Sequence, residues 1–310
     1  MKAIVTGASG FLGSALCKEL SDEGYEIIAI VHNSKSNISS IENIKGVNIF
    51  YNIFEDDYSR NVLIENEKGK VDVFFHFAWA GTSGSLRGDY ETQVNNIITS
   101  CKAVDFCKEI ECGTFVFASS IMEDEIHNLM KTEITPSINS LYSISKIASD
   151  YMVRTVAGLH NIKFISAKIS NIYGPGETSA RLINSTIRKL IKGEHCSFSL
   201  GYQMYDFIYI TDAAKAFVAI SRKGINNRTY YIGSLEPKPL RDFLCSIRDI
   251  IAPKVEIGLG ELPNSNGSID YSQIDIFAVK KDTGFIPSID FEQGIILTYN
   301  WIKGENNAKI

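Results

Sequence analysis

The stretch that most constrains this chain is its first turn. Thr6-Gly7-Ala8-Ser9-Gly10-Phe11-Leu12-Gly13 follows the apolar run Ala3-Ile4-Val5 and opens an amphipathic pattern over residues 12–23. Glycines spaced G-x-x-G-x-x-G at such a junction have separate uses. Gly7 permits a sharp turn, Gly10 lets backbone approach a pyrophosphate, and Gly13 lets the helix pack closely on the strand. N–H groups at the helix start then face the diphosphate, where the helix dipole favours negative charge. This placement favours dinucleotide binding over a merely structural turn. The expected contacts are Gly7, Ser9, Gly10, Phe11, Leu12 and Gly13.

The rest of the first half supports the frame that such a turn needs. Nearly continuous apolar strands are expected at residues 3–6, 26–31, 47–51, 71–78, 114–118 and 163–169. Helical patterns near residues 12–23, 91–107 and 142–159 separate some of them. Strands without alternation are those covered on both faces, so the expected fold is α/β with a doubly wound parallel sheet. The pattern changes after Asn171, with a break at Tyr173-Gly174-Pro175-Gly176 and helices near 180–191, 240–251 and 290–301. A strand at 207–210 leading into a helix at 212–222 reads as a return to the sheet. The expected division is therefore a dinucleotide-binding domain over 1–171 with a returning segment at about 205–228. Residues 172–204 and 229–310 form a smaller C-terminal α/β substrate domain, with ligand sites in the cleft between the two.

Composition narrows the partners. A net charge of −5 without a Lys/Arg run offers no dense basic face, so nucleic acid is not expected. No apolar run approaches the roughly 18 residues a membrane helix needs. The six cysteines, at 17, 101, 107, 112, 196 and 245, include no C-x-x-C pair. They read as free thiols in a reducing compartment rather than metal ligands, and the expected location is the cytoplasm.

The end of the second strand bears on cofactor choice. A ribose 2′-hydroxyl is usually held there by Asp or Glu, which would repel a 2′-phosphate. This chain reads Val31-His32-Asn33-Ser34-Lys35, with donors and no acid. That favours NADP(H) over NAD(H), with His32, Asn33 and Lys35 as contacts; the alternative is a solvated loop and bound NAD.

Among the fourteen tyrosines, Tyr142 has a lysine four residues later, Lys146. On a helix these positions share a face and can project into one cleft. A phenol with a reference pKa of about 10 needs a nearby cation to act near neutrality, and a shift of three units takes roughly 4 kcal/mol. Such a tyrosine serves as general acid/base while a cofactor handles hydride. Ser119-Ser120 closes the preceding strand.

With these motifs in this order, the chain resembles the extended short-chain dehydrogenase/reductase family, in its NAD(P)-dependent nucleotide-sugar epimerase, dehydratase and reductase branch. The resemblance covers nearly the whole chain and includes His76-Phe77-Ala78, Asn95, Asn171-Ile172-Tyr173-Gly174-Pro175, Asp206-Phe207-Ile208-Tyr209-Ile210-x-Asp212, Tyr231-Ile232-Gly233-Ser234 and Gly284-Phe285-Ile286-Pro287. It implies a Rossmann-like sheet. It also implies that Ser120 hydrogen-bonds the substrate oxygen, Tyr142 exchanges its proton, and Lys146 holds the nicotinamide ribose and tunes Tyr142. Asn52 and Ile53 would contact adenine, Phe77, Ala78 and Asn95 would lie near the cofactor, and Asn171 would face the sugar nucleotide. For His76, Phe77 and Asp212, sheet packing or a helix cap is the simpler reading. A homodimer through the helices holding Asn95 and Tyr142 is a further family expectation.

Four departures bear on the reaction. The family's dehydratases carry an acidic pair directly after the catalytic hydroxyl residue. Here Ile121-Met122 follow Ser120, and Glu123 and Asp124 come two positions late, which disfavours dehydration. The usual Tyr-Gly after the serine segment is missing. The arginine that clamps the nucleotide diphosphate is replaced by Tyr205, leaving Arg181 or Arg87 to supply charge. Trp79 replaces a small residue, so it either walls the sugar pocket or packs beneath a loop.

The expected function is NADPH-dependent reduction of a 4-keto(-6-deoxy) nucleotide sugar, giving a deoxysugar precursor for a surface polysaccharide. The His76-Phe77-Ala78-Trp79 segment looks like that of 4-keto-6-deoxysugar reductases. The alternative is an NAD-dependent nucleotide-sugar 4-epimerase; a more remote one is a non-catalytic dinucleotide-binding module. Substrate contacts are expected from Trp79, Ser120, Asn171, Arg181 and Tyr205, with the loops at 81–87, 123–139 and 177–181 setting sugar and base.

Overall fold

The computed structural model describes residues 1–129, 136–263 and 269–307. Part of the loop at 123–139, expected to shape the sugar pocket, lies outside the described residues. The elements run β1 (Lys2–Thr6), α1 (Phe11–Asp22), β2 (Glu26–Val31), β3 (Val47–Tyr51), α2 (Asp57–Glu67), β4 (Val73–His76), α3 (Tyr90–Glu109), β5 (Thr114–Ser120), α4 (Met122–Leu129), α5 (Ser140–Leu159) and β6 (Lys163–Ile169). There follow β7 (Asn171–Tyr173), α6 (Leu182–Ile191), β8 (Ser197–Phe198), β9 (Met204–Tyr205), β10 (Phe207–Tyr209), α7 (Ile210–Lys223), β11 (Arg228–Ile232), β12 (Lys238–Pro239), α8 (Leu240–Ile251), β13 (Gly258–Leu259), α9 (Ala278–Thr283) and α10 (Phe291–Asn307).

Seven strands form one parallel sheet in the order β11-β6-β5-β4-β1-β2-β3. Successive side chains point to opposite faces, so each strand feeds two cores. Ala3, Val5, Ala29, Phe75 and Val116 pack with Leu16 and Leu20 of α1 and Phe217 of α7. Ile4, Ile28, Phe74, Phe115 and Phe164 pack with Phe106 and Cys107 of α3 and Val153 of α5. Phe74 and Phe115 stack at 5.1 Å and Phe115 and Phe164 at 6.4 Å, neighbours across three strands. The fold is therefore a doubly wound, Rossmann-like α/β sheet.

The chain leaves the sheet after β6 and returns through α7, which packs on α1. The returning stretch reaches further than residue 228, because β11 pairs with β6 as the sheet's edge strand. Its register, Arg228 opposite Ile165 through Ile232 opposite Ile169, brings residues 229–232 into the sheet. Beyond the sheet, β7 pairs with β10, β9 with β12 and β8 with β13, beside helices α6, α8 and α10. Two buried carboxylates tie these parts together. Asp212, at the start of α7, accepts from Ser288 N, Ser288 Oγ and Ile289 N, each at 2.8 Å. Asp206 accepts from Tyr231 Oη at 2.6 Å, Ser234 N at 3.1 Å, Leu235 N at 3.3 Å and the Ser234 hydroxyl. The structural reading of Asp212 holds.

Candidate active site

At the carboxyl ends of the sheet strands lies a cavity of about 1340 Å³. One end is the glycine turn. Gly7 sits at φ +66°, and a Cβ there would lie 2.8 Å from the Phe77 carbonyl carbon and from Ala78 N. A Cβ on Gly13 would lie 2.2 Å from Gly7 O, so α1 seats on the turn only with hydrogen at that position. Helix α1 starts at Gly10 with no side-chain cap and no acid in its first turn. Its first N–H groups, which have no intrahelical partner, are left for a ligand at the cavity wall, as a dinucleotide diphosphate requires. Asn52 (φ +54°) and Ile53 line the wall near this end, as does His32.

Asn33 and Lys35 do not join them. Asn33 Oδ1 accepts the Lys35 N–H at 2.9 Å, closing a local turn that carries the exposed Lys35 side chain away from the lining. Nothing in strand periodicity announces an Asx turn of this kind. Among the expected site residues, these two alone fall outside the cavity wall.

Below the cofactor end runs a buried polar chain. Thr6 Oγ1 accepts from Phe77 N and Ala78 N, both at 3.2 Å, and donates to His76 Nδ1 at 2.9 Å. Ser100 Oγ donates to Asn96 O at 2.8 Å, so it accepts from His76 Nε2–H at 3.0 Å. Every partner is satisfied with a neutral imidazole, and burial pushes His76 down to about 3. His76 thus has the structural role expected of it.

A pH consequence follows. Unfolded chains protonate histidine near 6.5 and this folded one does not, so stability falls as pH drops from 6.5 to 3, by about 1.4 kcal/mol per pH unit. Glu123 acts oppositely. Burial raises its carboxyl from 4.5 to about 7, so the folded state binds the extra proton and loses stability as pH rises through that window. The two offset each other between 4.5 and 6.5, and the net loss concentrates between 4.5 and 3. Urea midpoints at the two ends of that lower window should differ accordingly, and His76→Asn should reduce the difference.

Asn95 is exposed at the rim of the wall, whereas its neighbour Asn96 is buried and does the structural work. Asn96 Oδ1 accepts from Ala80 N and Nδ2 donates to Ala80 O, both at 2.9 Å, fixing the chain after Trp79. Gln93, 0% exposed, accepts from Trp79 Nε1 at 3.0 Å. Both residues escaped the sequence reading. Their signal was helical spacing: Gln93, Asn96, Ser100, Ala103 and Cys107 form one buried face of α3.

The other end of the cavity holds the hydroxyl, phenol and ammonium set. Ser120 ends β5 and Tyr142 and Lys146 share one face of α5, all three nearly buried at the wall. Ser120 Oγ accepts from Met122 N at 3.2 Å and acts on the Tyr142 phenol in the direction of the phenolate. Burial raises the Tyr142 phenol, against the pull of Ser120, Arg87 and Arg181. Lys146 Nζ donates to Ala118 O at 2.8 Å and sits 3.6 Å from the Trp79 ring centroid; burial depresses it to about 7. Trp79 lines the cavity, where it meets Tyr142 edge to face at 6.1 Å.

The acidic residues after the serine point elsewhere. Glu123, 6% exposed, accepts from the Ser119 hydroxyl and pairs with Lys168 at 3.8 Å, while Asp124 meets Lys168 at 3.0 Å. Neither carboxylate lines the cavity. On the far wall, Asn171 Nδ2 donates to Asp206 O at 3.1 Å, Arg181 Nε reaches Glu177 Oε2 at 3.4 Å, and Tyr205 stacks on Phe207 at 5.7 Å.

A family model described as the NAD dependent epimerase/dehydratase family matches residues 3–233, about three quarters of the chain. The chain belongs to that family. It is an enzyme of the extended short-chain dehydrogenase/reductase group, whose cofactor class is the nicotinamide dinucleotides. It is 25% identical to a dTDP-glucose 4,6-dehydratase of Xanthomonas campestris, over 96% of this chain and 92% of that one. It is also 25% identical to the CDP-abequose synthase of Salmonella typhimurium, over 94% and 95%. Among solved structures, the UDP-N-acetylglucosamine 4-epimerase of Methanobrevibacter ruminantium superposes with a TM-score of 0.80 at 22% identity, covering 98% of both chains. The Bordetella bronchiseptica enzyme WbmF in complex with NADH gives 0.78 at 22%, covering 99% and 93%. These structures share the fold. Among the described residues, no helix is long and apolar enough to cross a membrane.

Proposed function

We propose that the enzyme reduces the carbonyl of a 4-keto(-6-deoxy) nucleotide sugar, using NADPH. One observation carries the choice within the family: Ser120, Tyr142 and Lys146 converge on the cavity, while Glu123 and Asp124 turn away from it onto Ser119 and Lys168. An elimination needs an acid and a base beside the sugar, and the carboxylates following Ser120 do not reach it. Reduction needs one proton donor, and Tyr142 is there. The likeness to a synthase named for a CDP-linked sugar supports the reading.

A nicotinamide dinucleotide held in this cavity would supply the hydride that the carbonyl carbon takes up. Ser120 hydrogen-bonds the carbonyl oxygen, and Tyr142 delivers its hydroxyl proton to that oxygen, which completes an alcohol. Lys146, on the same face of α5 as Tyr142, would hold the nicotinamide ribose. Gly7, Gly10, Gly13, Asn52 and Ile53 hold the remainder of the dinucleotide. Trp79 narrows the space beside Tyr142, which favours a single face of attack over the rotation that epimerisation needs. The absence of an acid at residues 32–35, with His32 at the wall, favours the 2′-phosphate. Asn171, Arg181 and Tyr205, on the far wall of the cavity, hold the nucleotide.

The test is the ultraviolet spectrum of the purified protein, followed by NADPH and a panel of 4-keto-6-deoxy nucleotide sugars. Oxidation of NADPH with one of the panel is expected. Stoichiometric bound NAD and no NADPH oxidation with any of them would instead establish the epimerase reading.

The enzyme is also proposed to work as a homodimer in the cytoplasm. Cys17, Cys107, Cys112 and Cys196 are buried and all six cysteines are free thiols, which suits a reducing compartment. Val94 and Ile98 on α3, and Ile144, Tyr151 and Met152 on α5, lie exposed on two packed helices. An apolar face of this kind is typical of an interface. Ile144→Glu should shift the protein from dimer to monomer in sedimentation equilibrium; an unchanged mass would remove this face from the interface.

A further inference from the structure

Lys146 is an incomplete source of charge for Tyr142. Its Nζ is committed to Ala118 O, sits 3.6 Å from the Trp79 ring centroid and lies 6.0 Å from the Tyr142 ring centroid. Burial depresses the ammonium to about 7, with Glu123 and Asp150 drawing it back, so near neutrality a large share of Lys146 is uncharged. A closer cation comes from outside the Tyr-x-x-x-Lys motif. Arg87, in the short turn Ser85–Gly88, holds its guanidinium carbon 3.9 Å from the Tyr142 ring centroid. A guanidinium keeps its charge throughout the neutral range and is attracted to an aromatic face. The attraction grows once the ring becomes a phenolate.

The loop is built to put it there. Arg87 Nη1 donates to Thr82 O at 2.9 Å. Gln93 Nε2 donates to Gly81 O at 3.2 Å and Leu86 O at 3.0 Å, while its Oε1 accepts from Trp79. One fully buried amide thus fixes both the loop carrying Arg87 and the indole beneath Lys146. Gly81, at φ +69°, closes that loop so tightly that a Cβ would lie 2.5 Å from Leu86 O.

We propose that Arg87 is a positioning residue for the reaction: a fixed cation, clamped by Gln93 through its loop, that biases Tyr142 toward the phenolate. The other groups acting on the phenol are Ser120, Arg181 at the start of α6, Glu123 on α4, and Lys146 on its own helix. Glu125 on α4 and Arg181 act on Arg87. Arg181 adds to its effect on the phenol and Glu123 opposes it.

The test titrates Tyr142 directly in the dinucleotide-loaded protein, by tyrosinate absorbance. Subtracting the same protein carrying Tyr142→Phe cancels the other tyrosines. Arg87→Met should raise the Tyr142 midpoint by about one unit or more, a tenfold drop in phenolate at a given pH, and Arg87→Lys should restore part of it. An unmoved midpoint in Arg87→Met, with its circular dichroism and melting intact, overturns the proposal. Should that variant not fold, Arg87→Gln serves as the neutral replacement under the same criterion. The proposal rests on Tyr142 as proton carrier. The titration nevertheless reads the phenol itself, so a failed substrate panel and an unmoved phenol are separate results.

Discussion

Tyr142→Phe should lower kcat by about 10²- to 10⁴-fold, the range that a positioned general acid contributes. The substitution removes one oxygen and little else. Phenylalanine keeps the edge-to-face contact with Trp79 and the ring surface beneath Arg87, so the wall of the cavity survives. Lys146 keeps its bond to Ala118 O and its place over the indole. Dinucleotide affinity, measured by quenching of protein fluorescence, should therefore change little while turnover collapses. A protein that only binds dinucleotide would show no loss of function. An enzyme with unchanged turnover would have another proton donor, and Ser120 would be the next to replace.

The parts of this site legible in the sequence are those where one residue type serves one backbone need. A glycine triplet at a strand-to-helix junction and a Tyr/Lys pair four apart on a helix each specify their own geometry, and both lie where expected. The strands at 26–31, 47–51 and 163–169 have the same bounds in the structure, each carrying Val, Ile or Phe at several of its positions. Other features depend on partners distant in sequence. Strand β11 reads as part of the second unit until it pairs with β6. Helix α2 and helix α4 went unanticipated because α2 buries only Leu63 and α4 follows the serine directly in an acidic stretch. Asn96 and Gln93 matter because Ala80 and Trp79 come to them, and Asn33 is withdrawn by the Lys35 backbone. Side-chain hydrogen bonds to backbone leave a weak trace in periodicity, which records burial and not partners.

Gly13→Ala should weaken dinucleotide binding by about a hundredfold, the scale of loss for a misplacement near 1 Å. It should also destabilise the fold by about 1–3 kcal/mol, as overpacking does. The new methyl would lie 2.2 Å from Gly7 O and 2.9 Å from Ala8 Cα, both backbone atoms that cannot swing aside. Helix α1 must therefore lift from the turn, although Leu16, Cys17 and Leu20 anchor it to the sheet. Lifting it carries the N–H groups of Phe11 and Leu12 away from the diphosphate. Gly10→Ala provides the contrast, since its Cβ would meet Gly7 O at 3.2 Å, a contact that a few tenths of an ångström relieve. It should melt close to the parent protein yet still lose dinucleotide, because the methyl stands where the pyrophosphate approaches. Melting temperature and dinucleotide affinity measured together thus separate the glycine that seats the helix from the one that admits the ligand. If both variants lost stability equally, the turn would be structural throughout, and the cradle would have to be sought elsewhere in the cavity.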